Sequence, residues 1–186
     1  MGRVKSPFIF LFSLLFFLSF LSSCATSKKP DPADDLSLVW GFGQKAIKIS
    51  YRADKNLNLY DGQPHTILMC LYQMSDPNVF NELSRSEDGL NKLLQCSRFD
   101  QGVVSFMRVI VQPGDNKSLS LDRAEKAKWV GIVAGYYNLS PDMVSCLYEV
   151  PVTTERKWLV LKKPIPGNLF IDLSLGSNKI HHSRSK

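Results

Sequence analysis

The sequence predicts an all-β domain, a two-sheet antiparallel β-sandwich with a small helical insertion. Three observations carry this. Short apolar or alternating segments recur with Asn, Asp, Gly and Pro between them, and only one stretch shows helical spacing. The residues able to build a core also lie between two polar segments, one following residue 24 and one running from Gly176 to Lys186. Many short strands separated by frequent turn signals pack as a sandwich. An antiparallel barrel is the alternative.

Ala46 to Ala53 places Ile47, Ile49 and Tyr51 on one face and Lys48, Ser50 and Arg52 on the other, the period of two of a half-buried strand. Asp54 to Pro64 then mixes turn formers with Leu57, Leu59 and Tyr60, which predicts a long loop. His65 to Met74 is apolar on both faces, as in a strand covered on both sides. Asp76-Pro77 opens a short helix with Val79, Phe80 and Leu83 on one face, and Glu87 to Leu94 predicts a second. Both are expected to cover an end or edge of the sheets.

Strand signals return at Val103 to Val111, followed by the turn Gln112-Pro113-Gly114-Asp115 and an alternating segment Lys117 to Leu121. Trp129 to Tyr137 reads as another buried strand whose Gly131 and Gly135 predict close approach of a neighbour or a bulge. Cys146 to Val152, Lys157 to Leu161 and Leu169 to Leu173 complete roughly eight strands. The segment Gly176 to Lys186 is expected to be unstructured.

The N-terminus has the layout of an export signal. A cationic start with Arg3 and Lys5 precedes an apolar run from Phe8 to Leu21, broken only by Ser13 and Ser19. These 14 residues reach roughly 21 Å as a helix, short of a hydrocarbon layer of about 30 Å. Leu21-Ser22-Ser23-Cys24 is the pattern read by lipoprotein signal peptidase, so Cys24 is expected to be acylated and to become the first residue. Two or three acyl chains at about 0.8 kcal/mol per methylene make release negligible. The chain therefore divides into a signal peptide at 1–23, the lipidated cysteine and a flexible polar tether at 24–38, the β-sandwich at 39–175 and a tail at 176–186. By sorting rules that bacterial lipoproteins resemble, Ala25 favours the outer membrane, on its periplasmic face.

The whole chain has a formal net charge of +6. Once Arg3 and Lys5 leave with the signal, 21 basic residues face 17 acidic ones, a net +4 without any concentrated stretch. This argues against a nucleic-acid partner. Besides Cys24, an odd number of cysteines remains: Cys70, Cys96 and Cys146. In an oxidising compartment one pair and one thiol is the simplest arrangement. Cys70 to Cys96 is the preferred bridge, with three buried thiols as the alternative.

Chemistry leaves little trace. His65, His181 and His182 are the histidines, and no nucleophile elbow, zinc-protease, C-x-x-C or phosphate-loop motif appears. No catalytic residues, metal ligands or cofactor are expected. Trp40, Trp129 and Trp158 with Tyr136-Tyr137 are expected to fill the core rather than form a ligand patch. What remains is the Asp54 to Pro64 loop, whose Leu57, Leu59 and Tyr60 either dock a partner or fold back on the sandwich edge.

The residues resemble a known family, the type VI secretion outer-membrane lipoproteins called TssJ, SciN or VasD. The resemblance lies in Trp40-Gly41-Phe42, Ala53-Asp54 with Leu57-Asn58, Leu71-Tyr72-Gln73-Met74 with Asp76-Pro77 and Phe80, Gln112-Pro113-Gly114, and Val130 to Tyr137. It implies a transthyretin-like sandwich and a non-catalytic scaffold role in the type VI membrane complex. The implied partner is the periplasmic C-terminal domain of the large inner-membrane protein, TssM. In that family the loop between the first two strands contacts the partner, which here implies Asn56, Leu57, Asn58, Leu59, Tyr60, Asp61, Gly62 and Gln63. The alternative function is a lipoprotein that binds a small apolar ligand in its sandwich.

Overall fold

A computed structural model describes residues 38–141, 143–157 and 161–185. The expected signal peptide, Cys24 and the tether up to residue 37 lie outside them, as does Trp158. Ten strands and two helices follow in order: β1 (Gly43–Ala53), β2 (Ile67–Met74), α1 (Asn78–Leu83), α2 (Glu87–Leu93), β3 (Val103–Val111), β4 (Asn116–Arg123), β5 (Trp129–Ala134), β6 (Ser145–Glu149), β7 (Val152–Lys157), β8 (Leu161–Pro166), β9 (Leu169–Leu175) and β10 (Ile180–Ser185). One four-stranded sheet has the order β10-β9-β1-β4 and the other β3-β2-β5-β6, while β7 and β8 form a separate hairpin. All pairs are antiparallel except β1 with β9, which runs parallel from Ile47↔Leu169 to Ala53↔Leu175.

The core forms where the alternating faces meet. Ile47, Ile49, Tyr51, Leu169, Ile171 and Leu173 of the first sheet and Met69, Leu71, Val130 and Ile132 of the second are buried. Buried Gln73 ties the two sheets, its Nε2 donating to Asp122 O at 2.9 Å and its Oε1 accepting from Ala124 N at 2.7 Å. Buried amide side chains need such partners, and these two backbone groups satisfy both ends of Gln73.

Strand β2 is apolar on both faces because the helices cover its outer side, not an end or edge of the sheets. Cys70 is disulfide-bonded to Cys96 just beyond α2, with Cα atoms 5.3 Å apart and a sequence separation of 26. Closing a loop of that length stabilises by about 3.5 kcal/mol on the chain-entropy account. The Tyr72 hydroxyl donates to Leu93 O, and its ring lies edge-on to Phe99 at 5.0 Å and to Phe80 at 6.2 Å. Gly131, opposite Tyr72 in the register, gives this layer its room: a Cβ there would sit 2.6 Å from Phe80 Cε2. The Ser86 hydroxyl caps α2 by accepting from Gly89 N at 3.1 Å, and the Asp76 carboxylate accepts from Asn78 N at 2.8 Å where α1 begins.

Three further expectations are corrected. The Gly176 to Lys186 tail is not wholly unstructured: Ile180–Ser185 forms β10, paired with β9. Its polar side chains give no strand periodicity, and the backbone hydrogen bonds to an open sheet edge supply what the pattern lacks. The segment Cys146 to Val152 is two strands, because the chain leaves the sheet at Val150-Pro151 and Pro151 has no amide to donate. Lys157 and Leu161 pair across the β7–β8 hairpin, so the expected single strand from Lys157 to Leu161 is instead the ends of two strands, and residues 158–160 lie outside the described residues.

Topology gives the sandwich two distinct ends. Residues 38–42 enter β1 at one end, beside the β4–β5 connection, where Lys126 N donates to Trp40 O at 2.7 Å. Buried Arg123 fastens the same end, donating from Nη2 to Gly41 O at 3.0 Å and from Nη1 to Gly167 O at 3.2 Å. Burial pushes its guanidinium below the usual arginine range. The eleven residues of β1 cover about 35 Å, and the β1–β2 loop lies at the far end.

Candidate docking site

The β1–β2 loop is built from its own hydrogen bonds. The Asp54 carboxylate accepts from Asn56 N at 2.8 Å, and Leu57 N donates to Asp54 O at 3.1 Å. This turn drives Leu57 into the core, where it is fully buried. Leu57 is therefore a packing residue and, unlike the expectation for this loop, does not present its side chain at the surface.

Asn58 is also buried, and at φ +47° it adopts the left-handed conformation that asparagine tolerates better than most residues. Its Oδ1 accepts from Tyr137 N at 2.8 Å while its Nδ2 donates to Thr66 O at 3.4 Å. One side chain thus fastens the first loop to the β5–β6 loop. Leu59 N donates to Ser177 O at 2.8 Å, which adds the β9–β10 turn to the assembly.

The tip is a two-residue turn. Tyr60 and Gln63 exchange two backbone hydrogen bonds of 2.9 Å, with Asp61 at φ +49° and Gly62 at φ +71° between them. Positive φ at both central residues is what this tight hairpin geometry requires, and Asp-Gly supplies it at low steric cost. Leu59 is 44% exposed, Tyr60 56%, and Asp61, Gly62, Gln63 and Asn56 are exposed as well.

Tyr60 does not stand alone. Its ring stacks on Tyr137 with centroids 4.3 Å apart and planes 15° from parallel, and His65 meets Tyr137 edge-on at 5.2 Å. Tyr137 is 58% exposed, whereas its neighbour Tyr136 is buried and donates its hydroxyl to Lys179 O at 3.0 Å. Burial pushes the Tyr136 hydroxyl well above the usual tyrosine range. The expected core role therefore holds for Tyr136 and fails for Tyr137, because β5 ends at Ala134 and the chain turns away from the sheet.

The site is thus a rigid surface of two stacked rings beside Leu59, on a backbone fixed by three converging loops. Among the described residues no cluster of His, Cys, Asp and Glu is arranged to hold a metal. The loop residues Asn56, Leu59, Tyr60, Asp61, Gly62 and Gln63 lie outward. Tyr137 was not legible as part of this surface. The only sequence signal was Gly135, which ends the strand early.

Residues 45–165 match the family described as type VI secretion lipoprotein, VasD, EvfM, TssJ. The chain belongs to this type VI secretion lipoprotein family. The family's description as a type VI secretion lipoprotein is consistent with the export-signal layout and the Leu21-Ser22-Ser23-Cys24 motif of the sequence. The fold is similar to that of the type VI lipoprotein TssJ1 from Pseudomonas aeruginosa, at TM-score 0.55 and 20% identity over 75% of this chain and 95% of that one. It is also similar to Serratia marcescens Lip, a membrane-bound component of the type VI secretion system, at TM-score 0.51 and 17% identity over 75% and 96%. A further similar structure is described as the type VI protein TssM C-terminal domain (869–1107) from EAEC, at TM-score 0.52 and 17% identity over 72% and 94%. No individually curated protein matches.

Proposed function

We propose that this family member is an outer-membrane-anchored scaffold, tied by acyl chains on Cys24 and docking the periplasmic C-terminal domain of a TssM-type inner-membrane protein through its β1–β2 loop. One observation carries the reading: a single strand, β1, joins the tethered end of the sandwich to a preorganised, partly apolar loop at the other. A link between membrane and partner needs that arrangement, since load entering at Gly41 passes through hydrogen-bonded strands to the loop. Preorganisation lowers the ordering cost of binding. The presence of TssM in the description of one similar structure supports the choice of partner, and Ala25 after Cys24 supports the outer membrane.

No specific observation favours the apolar-ligand alternative. The groove between the sheets, lined by Ile47, Leu71, Phe106, Leu121 and Val130 among others, has a volume of about 130 Å³, below the roughly 300–1,000 Å³ of ligand pockets. The docking reading is tested by co-purification from bacterial envelopes. With Leu59 to Gln63 rebuilt as Gly and Ser, the lipoprotein should still be in the membrane fraction without the TssM-type protein. Co-purification at the wild-type level would remove the loop from the mechanism.

A further inference from the structure

The tethered end of the sandwich carries its own unassigned surface. A groove of about 420 Å³ is lined by Val39, Trp40, Gly41, Ser75, Glu125, Lys126 and Lys128. Val39 is 64% exposed, as is Phe42 three residues later, while Trp40 is half-buried against the core. Lys126 and Lys128 are exposed at the groove, facing one acidic residue, Glu125. Exposed apolar side chains beside an indole and two ammonium groups are the combination found where a protein meets lipid headgroups.

The chain outside the structure says what covers this surface. Cys24 lies fifteen residues before Val39, a length of peptide that spans about 50 Å at most. With acyl chains on Cys24 the bilayer is never further than that from this groove, whereas the docking loop lies another β1 length of about 35 Å beyond it. The β7–β8 hairpin leaves from the same end, Gly167 N donating to Pro151 O at 2.7 Å at its base.

We infer that this end of the domain docks on an anionic phospholipid surface, with Lys126 and Lys128 meeting the headgroup phosphates and Trp40, Val39 and Phe42 reaching the boundary of the acyl region. The inference rests on the proposed anchor at Cys24. Such docking fixes the orientation of the sandwich, so that the Tyr60 loop points away from the membrane rather than swinging on a tether. Basic residues near an anionic surface contribute about 1 kcal/mol each, small for capture from solution but sufficient to orient a domain already held there.

The test uses the acylated full mature protein, reconstituted in phosphatidylcholine vesicles with or without phosphatidylglycerol, all carrying brominated acyl chains. Tryptophan quenching is compared between wild type and Trp40→Phe, so that the difference reports Trp40. In vesicles containing phosphatidylglycerol, Trp40 should be quenched. Lys126→Glu/Lys128→Glu should lower that quenching by at least about threefold, with an unchanged melting temperature. Val39→Asp/Phe42→Asp, at two exposed positions, should lower it similarly. Quenching that is absent, equal without phosphatidylglycerol, or unchanged in both double variants would overturn the inference. Vesicle flotation of wild type against Cys24→Ala reads the anchor separately: a wild type that does not float defeats the anchor, whereas one that floats with Trp40 unquenched defeats only the docked orientation.

Discussion

Tyr60 and Tyr137 come from different loops and stack with their ring centroids 4.3 Å apart, and the Tyr137 amide is held by Asn58 of the same loop that carries Tyr60. The proposed docking surface is therefore a property of two loops. Each ring narrows the freedom of the other, and both keep more than half their surface open to a partner.

A double-mutant cycle follows from the stack. Tyr60→Ala and Tyr137→Ala should each weaken partner binding by about 1–3 kcal/mol, and the double variant should cost less than the two losses added. Isothermal titration with the partner domain measures this. Additive losses would show that the rings contact the partner independently.

Asn58→Ala should lower folding stability by about 1–3 kcal/mol, because the part-buried hydrogen bonds from the Tyr137 amide and to the Thr66 carbonyl are both lost. Chemical denaturation measures the effect. Tyr60→Ala, at an exposed position, should cost no more than about 1 kcal/mol of stability. If the two variants melted alike, Asn58 would not be the clasp between the loops.

Gly131→Val should destabilise by about 3 kcal/mol or more, since the added Cβ would lie 2.6 Å from the Phe80 ring and 2.9 Å from Met74 Cε. Gly135→Val should cost less. Its added Cβ first meets a flexible end, Leu94 Cδ2, at 3.3 Å. Thermal melting orders the two, and the reverse order would contradict the packing of α1 on β5.

The Tyr136 hydroxyl, pushed upward by burial, ionises in the unfolded chain near pH 10. A group with a raised folded-state pKa contributes its full stability below the unfolded value and loses it as pH rises further. Between about pH 8 and about pH 11, wild type should lose more stability than Tyr136→Phe. Equal losses in urea titrations would show that the Tyr136 hydroxyl is not held neutral by the fold.

Much of this was legible in the residues. Val103 to Val111 alternates poorly yet is bounded by turn formers, and β3 has those limits. The loop position was readable because Asp, Asn and Gly cluster after Ala53. Its interior was not: Leu57, Leu59 and Tyr60 look alike in composition, and only the Asp54 turn and the left-handed Asn58 decide that the first goes inward and the other two outward. Tyr137 was hidden because Val130 to Tyr137 is one apolar run, and a run does not show where pairing stops. β10 was hidden because an edge strand is held by backbone groups that every sequence carries. The parallel pairing of β9 beside β1 was equally invisible, being set by the path of the intervening chain.

The central claim is that the β1–β2 loop tip docks the periplasmic domain of a TssM-type protein. The most direct measurement is the Kd of that domain for the mature lipoprotein, wild type against Leu59→Asp/Tyr60→Ala, with circular dichroism confirming that the variant is folded. The account predicts binding by wild type and a loss of at least about tenfold, or 1.4 kcal/mol, in the variant. Equal Kd values for the two folded proteins would contradict it.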